Sequence, residues 1–274
     1  MPELPEVETV RQTLLQLVRN KTIERVSVHW GNIIKRPQDP NEFKRLLEGQ
    51  TILDIERKGK FMIFNMNDLS LVSHLRMEGK FGVFDASEEK PKHTHVIFHF
   101  DDGTDLRYDD VRKFGTMHVF EKGEELKEKP LKQLGPDPFE DAFSLEYFHE
   151  KLQRTSRNIK SVLLDQAVVA GLGNIYVDEA LFKARVHPER LANTLTKDEA
   201  ERVRTASVDI INEAIRQGGS TIRSYINSQG QIGMFQQQLK VYGKENTGCP
   251  QCGTEITKLK VGGRGTHICP QCQS

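Results

Sequence analysis

The stretch CPQCGTEITKLKVGGRGTHICPQC, residues 249–272, decides how the chain is read. It carries all four cysteines of the 274-residue sequence, as two Cys-x-x-Cys pairs with 16 residues between them. A two-residue spacing lets a tight knuckle turn both thiolates toward one ion, and two knuckles complete the tetrahedron that Zn²⁺ takes in closed structural sites. Cys249, Cys252, Cys269 and Cys272 are the expected ligands of one structural zinc, and no cysteine remains to act as a nucleophile. Two disulfides are the alternative; the spacing and an expected reducing compartment favour the metal. Between the knuckles a β-rich run, 255–261, meets Gly262-Gly263-Arg264-Gly265 and turns back through 266–268, which predicts a hairpin with Arg264 at its tip. An arginine between glycines is either simply solvated or able to approach a phosphate closely.

Outward from the ribbon, the charge is segregated. The chain is neutral overall, 39 basic against 39 acidic residues, which alone argues against a nucleic-acid partner. Yet residues 121–150 hold nine acids and four lysines, a net of −5, while residues 216–274 hold seven Lys/Arg and two Glu, a net of +5. A neutral total thus hides a basic C-terminal part, less about two units once four thiolates hold Zn²⁺. No apolar run approaches a membrane span, and the acidic start lacks the layout of a signal peptide, so a cytoplasmic, membrane-free protein is expected.

From about 22 to 120 the runs TIERVSVHW, FMIFNM, LVSHLRM, HVIFHF and TMHVF, separated by Asn, Asp and Gly, predict an antiparallel sandwich or barrel. The charged stretch EKGEELKEKPLKQLGPDP, 121–138, reads as a linker or an exposed crossing between domains. Beyond it, 144–155, 159–166, 176–184 and 197–217 have helical patterning. The stretch GGSTIRSYINSQGQIGMFQ, 218–236, is too polar and glycine-rich for a core helix, and it reads as a functional loop or an interdomain linker.

The start, MPELPEVETV, predicts a helix with Pro5 at its first position, Glu6 and Glu8 at its positive end, and an apolar stripe of Val7, Val10, Leu14, Leu15, Leu17 and Val18. Met1 precedes a small residue, and its removal leaves Pro2 a free secondary amine. An α-amine has a reference pKa of roughly 7.7 to 8.0, so a useful neutral fraction exists at physiological pH. Such an amine can attack C1′ of a nucleotide, and the resulting iminium acidifies the C2′ hydrogen, opening the way to loss of the 3′ phosphate. Glu3 beside it can shuttle protons to the ring oxygen and from the sugar carbons. A Met-Pro start is ordinary by itself, and Glu3 also reads as a helix-start acid, a task that Glu6 fills better.

PELPEVE (2–8), SHLRMEGKF (73–81), DVRKFGTM (110–117), GLGNIYVDEALF (171–182) and the ribbon with GGRGT resemble the bacterial formamidopyrimidine-DNA glycosylases, in order and over essentially the whole chain. The resemblance implies an α+β multidomain protein: an N-terminal antiparallel β-sandwich with a flanking helix (1–134), a helix–two-turn–helix α domain with a lesion loop (135–236), and a four-cysteine zinc-ribbon hairpin (237–274). It implies a monomer that removes oxidised purines from double-stranded DNA, acts on abasic sites, and cleaves the strand by β,δ-elimination. Pro2 and Glu3 match the nucleophile and the acid. Lys60 and Arg264 match the further catalytic positions, holding phosphates and assisting the eliminations; by itself Lys60 reads as a solvated loop lysine beside Arg57 and Lys58. Because a stacked base is out of reach, the nucleotide must be flipped out and the gap filled. Met77, Arg112 and Phe114 match the inserted residues, although Met77 and Phe114 read equally well as core residues at strand ends. His74, His93, Asn174 and Lys258 match DNA contacts, and Glu78, Ser220, Ile222, Arg223, Ser224 and Tyr225 match lesion recognition.

Two other functions fit part of this pattern. An endonuclease VIII-like glycosylase for oxidised pyrimidines shares Pro-Glu and the ribbon, but LRMEG and RKFG favour the purine enzyme. A noncatalytic zinc-ribbon DNA-damage binder needs no Pro2-Glu3 pair. A metal-dependent nuclease is disfavoured, because the zinc ligands are exhausted and Asp109-Asp110 make a poor two-metal cluster.

Overall fold

The structure is a computed structural model that describes residues 1–220 and 234–274. The chain divides into two compact units, 1–132 with 218–234, and 133–217 with 235–274.

The first unit opens with α1 (Leu4–Val18). It starts one residue earlier than the proline suggests, so Pro5 is second in the helix, where its missing N–H is still among those without an intrahelical partner. Val7, Val10, Leu14 and Val18 are buried in the core, with Leu15 and Leu17 packed beside them. Removing each from water is worth roughly 1.5–3 kcal/mol, so the stripe rather than helix propensity fixes α1.

Nine strands follow: β1 (Ile23–Val28), β2 (Ile34–Arg36), β3 (Asp54–Lys58), β4 (Phe61–Asn65), β5 (Leu69–His74), β6 (Lys80–Asp85), β7 (Thr94–Phe100), β8 (Thr104–Asp109) and β9 (Thr116–Glu121). They form a four-stranded sheet, β1-β7-β8-β6, and a five-stranded sheet, β2-β9-β5-β4-β3. The expected antiparallel pairing holds except at one edge, where β2 runs parallel to β9 with Ile34 opposite Met117. Strand β2 is three residues long and reaches β9 from a distant part of the chain, so no hairpin dictates its direction. The sequence pattern also missed α2 (Pro40–Leu47), capped by Asp39, because only Phe43 and Leu47 of its eight residues are buried. One i,i+4 pair is too short a stripe to register as a period.

The second unit holds α3 (Leu145–Gln153), α4 (Ile159–Leu163), α5 (Asn174–Ala184), α6 (Lys197–Arg216) and a hairpin of β10 (Thr257–Val261) and β11 (Arg264–Ile268). Nine of the eleven residues of α5 are buried, and it packs against α4, α6 and β11. The hairpin turns on Gly262 and Gly263, with φ of +54° and +79°, and Val261 pairs with Arg264. A two-residue turn of this kind wants positive φ at both central positions, which the two glycines supply without strain. Arg264 is therefore the first residue of the returning strand rather than the tip.

Candidate active site and zinc centre

Glu3 occupies the N-cap of α1 and is only 4% exposed; Pro2, immediately before it, is also buried. Glu6 accepts the Glu3 N–H on Oε2 at 2.8 Å, completing a capping box. The first turns of α1 are pinned to β3: Arg57 Nε lies 3.0 Å from Glu8 Oε2, and Arg11 donates to the Ile55 carbonyl at 2.9 Å. Strand β3 then turns into β4 through Gly59, φ +56°, and Lys60. Lys60 is 6% exposed, so the alternative of a solvated loop lysine is discarded.

On β5, opposite Phe61, His74 is buried with its ring edge-on to that phenyl at 4.5 Å. Burial, with the Arg76 and Lys60 cations adding, pushes its pKa down to about 3. The imidazole is neutral at physiological pH. Its Nδ1 accepts the Arg76 N–H at 2.9 Å, which leaves Nε2 to carry the proton as a donor.

Met77, Arg112 and Phe114 lie on two turns with a shared construction. Met77 is 40% and Phe114 52% exposed, so neither is a core residue; the Arg112 guanidinium rests over the Phe114 ring at 4.9 Å. Next to the presented residues, Arg76 and Lys113 hold left-handed φ of +57° and +59°, a strain that persists only where the surroundings impose it. Buried Asp110 imposes part of it, accepting the Arg112 N–H at 3.0 Å and the Gly115 N–H at 2.8 Å. Both turns also press on Tyr108, since a Cβ at Gly79 or Gly115 would lie 2.2 or 1.7 Å from its hydroxyl. Half-buried Glu78 lies in the first turn, and half-buried His93 accepts the Asp110 N–H on its carbonyl. In the sequence Asp110 reads only as a poor metal ligand; an Asp two residues ahead of a turn is the signal that finds its structural role.

In the second unit, the sulfurs of Cys249, Cys252, Cys269 and Cys272 all lie within 4.8 Å of one another, with Cys249–Cys272 at 3.9 Å and Cys252–Cys269 at 3.5 Å. Four thiolates at about 2.3 Å from a central Zn²⁺ stand roughly 3.8 Å apart, so the cage fits the ion, whereas disulfide sulfurs would be about 2.05 Å apart. The site is a closed four-cysteine centre with no coordination position left over for catalysis.

Next to exposed Arg264, the Gly265 carbonyl accepts from Asn174 Nδ2 at 2.9 Å and from Lys160 Nζ at 3.2 Å. Lys160 is fully buried and paired with Asp178 at 2.6 Å, and Asp178 in turn accepts the His267 N–H at 2.9 Å. These groups hold the start of β11, and sequence reading missed Lys160 and Asp178 because each looks like an ordinary helix-surface charge. Lys258, on β10, is exposed and pairs with Glu245 at 3.0 Å. Ser220 is buried against Glu6 in the first unit; Ile222, Arg223, Ser224 and Tyr225 lie outside the described residues.

The first unit is a sandwich with a buried acid at the start of α1, and the second is a helical unit that bears a four-cysteine zinc ribbon. Family models match in three consecutive parts: the formamidopyrimidine-DNA glycosylase N-terminal domain over 1–117, the formamidopyrimidine-DNA glycosylase H2TH domain over 134–226, and the zinc finger found in FPG and IleRS over 249–274. The formamidopyrimidine-DNA glycosylase of Bacillus licheniformis is 59% identical over 258 residues, 94% of each chain. A point variant of the Lactococcus lactis FPG, solved with Fapy-dG-containing DNA, superposes with a TM-score of 0.94 at 41% identity over 100% of both chains. The Lactococcus lactis enzyme bound to abasic-site DNA gives 0.92 at 40% over 99% of both. The chain belongs to the formamidopyrimidine-DNA glycosylase family.

Proposed function

We propose that this protein excises oxidised purines, 8-oxoguanine and formamidopyrimidines, from duplex DNA and then cleaves the strand, with Pro2 as nucleophile and Glu3 as acid/base. The observation that carries the assignment is the carboxylate of Glu3, buried at the N-terminus of α1 and adjacent in the chain to the only residue that can offer a secondary amine at a trimmed start. Removal of Met1 frees the Pro2 nitrogen. That nitrogen attacks C1′ and the base departs with the bonding pair; Glu3 delivers a proton to the ring oxygen, and the ring opens to the iminium. Loss of a C2′ proton then expels the 3′ phosphate, and a second elimination expels the 5′ phosphate.

Lys60 and Arg264 supply the cations for these phosphates, and His74 and Asn174 supply neutral donors, with His93 and Lys258 as outer contacts. Met77, Arg112 and Phe114 fill the space left by the flipped nucleotide: a flexible thioether, a guanidinium that reads the orphaned base, and a stacking ring. Glu78 and Ser220 serve recognition of the lesion, together with residues 222–225. The zinc is structural and holds the hairpin that carries Arg264. The work divides functionally at 1–134, 135–236 and 237–274. The protein acts as a monomer in the cytoplasm; among the described residues no helix is long and apolar enough to cross a membrane.

The test is incubation with duplexes that each bear one oxidised purine, one oxidised pyrimidine or one abasic site. The assignment expects fastest release at the purine and nicking of the abasic duplex. Preferential release of the pyrimidine would move the protein to the endonuclease VIII type, and binding without nicking would leave a damage reader.

A further inference from the structure

Glu6 does more than complete a helix cap. In the equivalent box at the start of α6, Glu199 accepts the Thr196 N–H at 2.8 Å and spends the rest of its carboxylate on partly exposed Arg190. Glu6 is 3% exposed, and its second oxygen faces a segment 214 residues away: Oε1 accepts the Ser220 N–H at 2.7 Å and the Ser220 hydroxyl at 3.2 Å. Gly219 lies against the same carboxylate at φ +79°, so close that a Cβ there would be 2.8 Å from Oε1 and 3.0 Å from Cγ. Ser220 also forms an antiparallel bridge with Met234. One buried carboxylate thus holds the amide of Glu3 with one oxygen and the Gly219-Ser220 pair with the other.

We infer that Glu6 is a positioning residue that couples the seating of Gly219-Ser220 to the alignment of Pro2 and Glu3. This rests on the assignment of Pro2 and Glu3 to the sugar chemistry. A carboxylate is required because both sides present N–H donors; an amide in its place would turn an NH₂ toward one of them and leave that donor unpaired. The consequence is specific: a change at Gly219, which brings no acid, base or nucleophile, slows chemistry on a sugar that has already lost its base.

The test uses the full-length zinc-loaded protein and single-turnover cleavage of a duplex with a preformed abasic site. Gly219→Ala and Glu6→Gln are each expected to slow cleavage by about tenfold or more, with a melting temperature lowered by a few degrees, the fold retained and duplex affinity near that of the parent. Because the two act through one contact, the double variant should be no slower than the slower single variant. Cleavage by Gly219→Ala at the parental rate, or a double variant that loses the product of the two single effects, overturns the coupling. Should Gly219→Ala fail to fold, Ser220→Ala replaces it: a severalfold slowing with Glu6 present that vanishes in Glu6→Gln supports the coupling, and equal slowing in both overturns it. Absence of any Pro2 adduct in the parent protein would instead remove the assignment beneath it, which these ratios do not address.

Discussion

Lys60 and Arg264 are both cations placed by glycine-containing hairpin turns, yet Lys60 is almost fully buried and Arg264 is exposed. The β3–β4 turn belongs to a sheet backed by the large core of the first unit, where Phe64, Phe81 and Tyr108 meet edge to face at 5.4 and 5.0 Å. The β10–β11 turn belongs to a ribbon whose own cluster is little more than Phe182, Val241, Ile256 and the cysteines. A large apolar core gives a turn its support; a ribbon this small needs a metal to hold its shape. The groups assigned to the sugar, Pro2 and Glu3, are buried, as are Lys60 and His74 of the same unit, while Met77 and Phe114, assigned to the vacated base stack, and Arg264, assigned to phosphate, are exposed.

The largest expected break is in the ribbon. Structural zinc contributes on the order of 10–16 kcal/mol to folding of small zinc domains, so Cys249→Ser should lose the metal, displace Arg264 and abolish tight duplex binding. The first unit should keep its own melting transition by calorimetry. Stoichiometric zinc with normal binding would erase the contrast between the two turns.

Next is the buried acid. Glu3→Gln keeps the shape and removes the proton shuttle, and excision in single-turnover assays should fall by roughly 10²–10⁴-fold with duplex affinity retained. A loss of binding equal to the loss of rate would reduce Glu3 to a helix cap.

The exposed side should behave in the opposite way. Phe114→Ala removes a half-exposed ring, so stability should stay within about 0.5 kcal/mol. Base stacking on an aromatic is worth about 1–3 kcal/mol, so excision from duplex should weaken by roughly 5- to 150-fold. A large fall in melting temperature would make Phe114 a packing residue after all.

At physiological pH the smallest effect concerns His74, whose pKa is held near 3 in the folded protein against 6.5 in the open chain, so that its contribution changes only in acid. Its folded value is depressed, so the unfolded chain takes up the proton first. The stability His74 allows is complete above about pH 6.5 and is lost as pH falls toward about 3. His74→Asn should flatten the acid limb of a melting-temperature profile over that window; an unchanged limb would mean that His74 is solvated.

Much of this was legible in the sequence, for identifiable reasons. The cysteine spacing is set by the geometry of one ion, and the 3.6-residue stripe of α1 by one buried face, so both survive without tertiary information. The exposure of Met77 and Phe114 was not legible, because an apolar residue at a strand end reads the same whether it faces the core or solvent. Nor was the burial of Lys60, since a lysine beside glycine in a charged stretch usually lies in water. Glu6 was read only as an acid at the positive end of α1; its contact with Ser220 spans 214 residues, and no period or spacing reports that. The direction of β2 was lost for the same reason: its partner β9 lies far along the chain.

The account stands most directly on which nitrogen forms the bond to the sugar. Borohydride added during turnover of an 8-oxoguanine duplex should reduce the iminium to a stable amine, and mass spectrometry of the proteolysed complex should place the deoxyribose remnant on the N-terminal peptide, at Pro2, with Met1 absent. A remnant on Lys60 with Pro2 unmodified would contradict the account, and the buried chain start would lose its assigned chemistry.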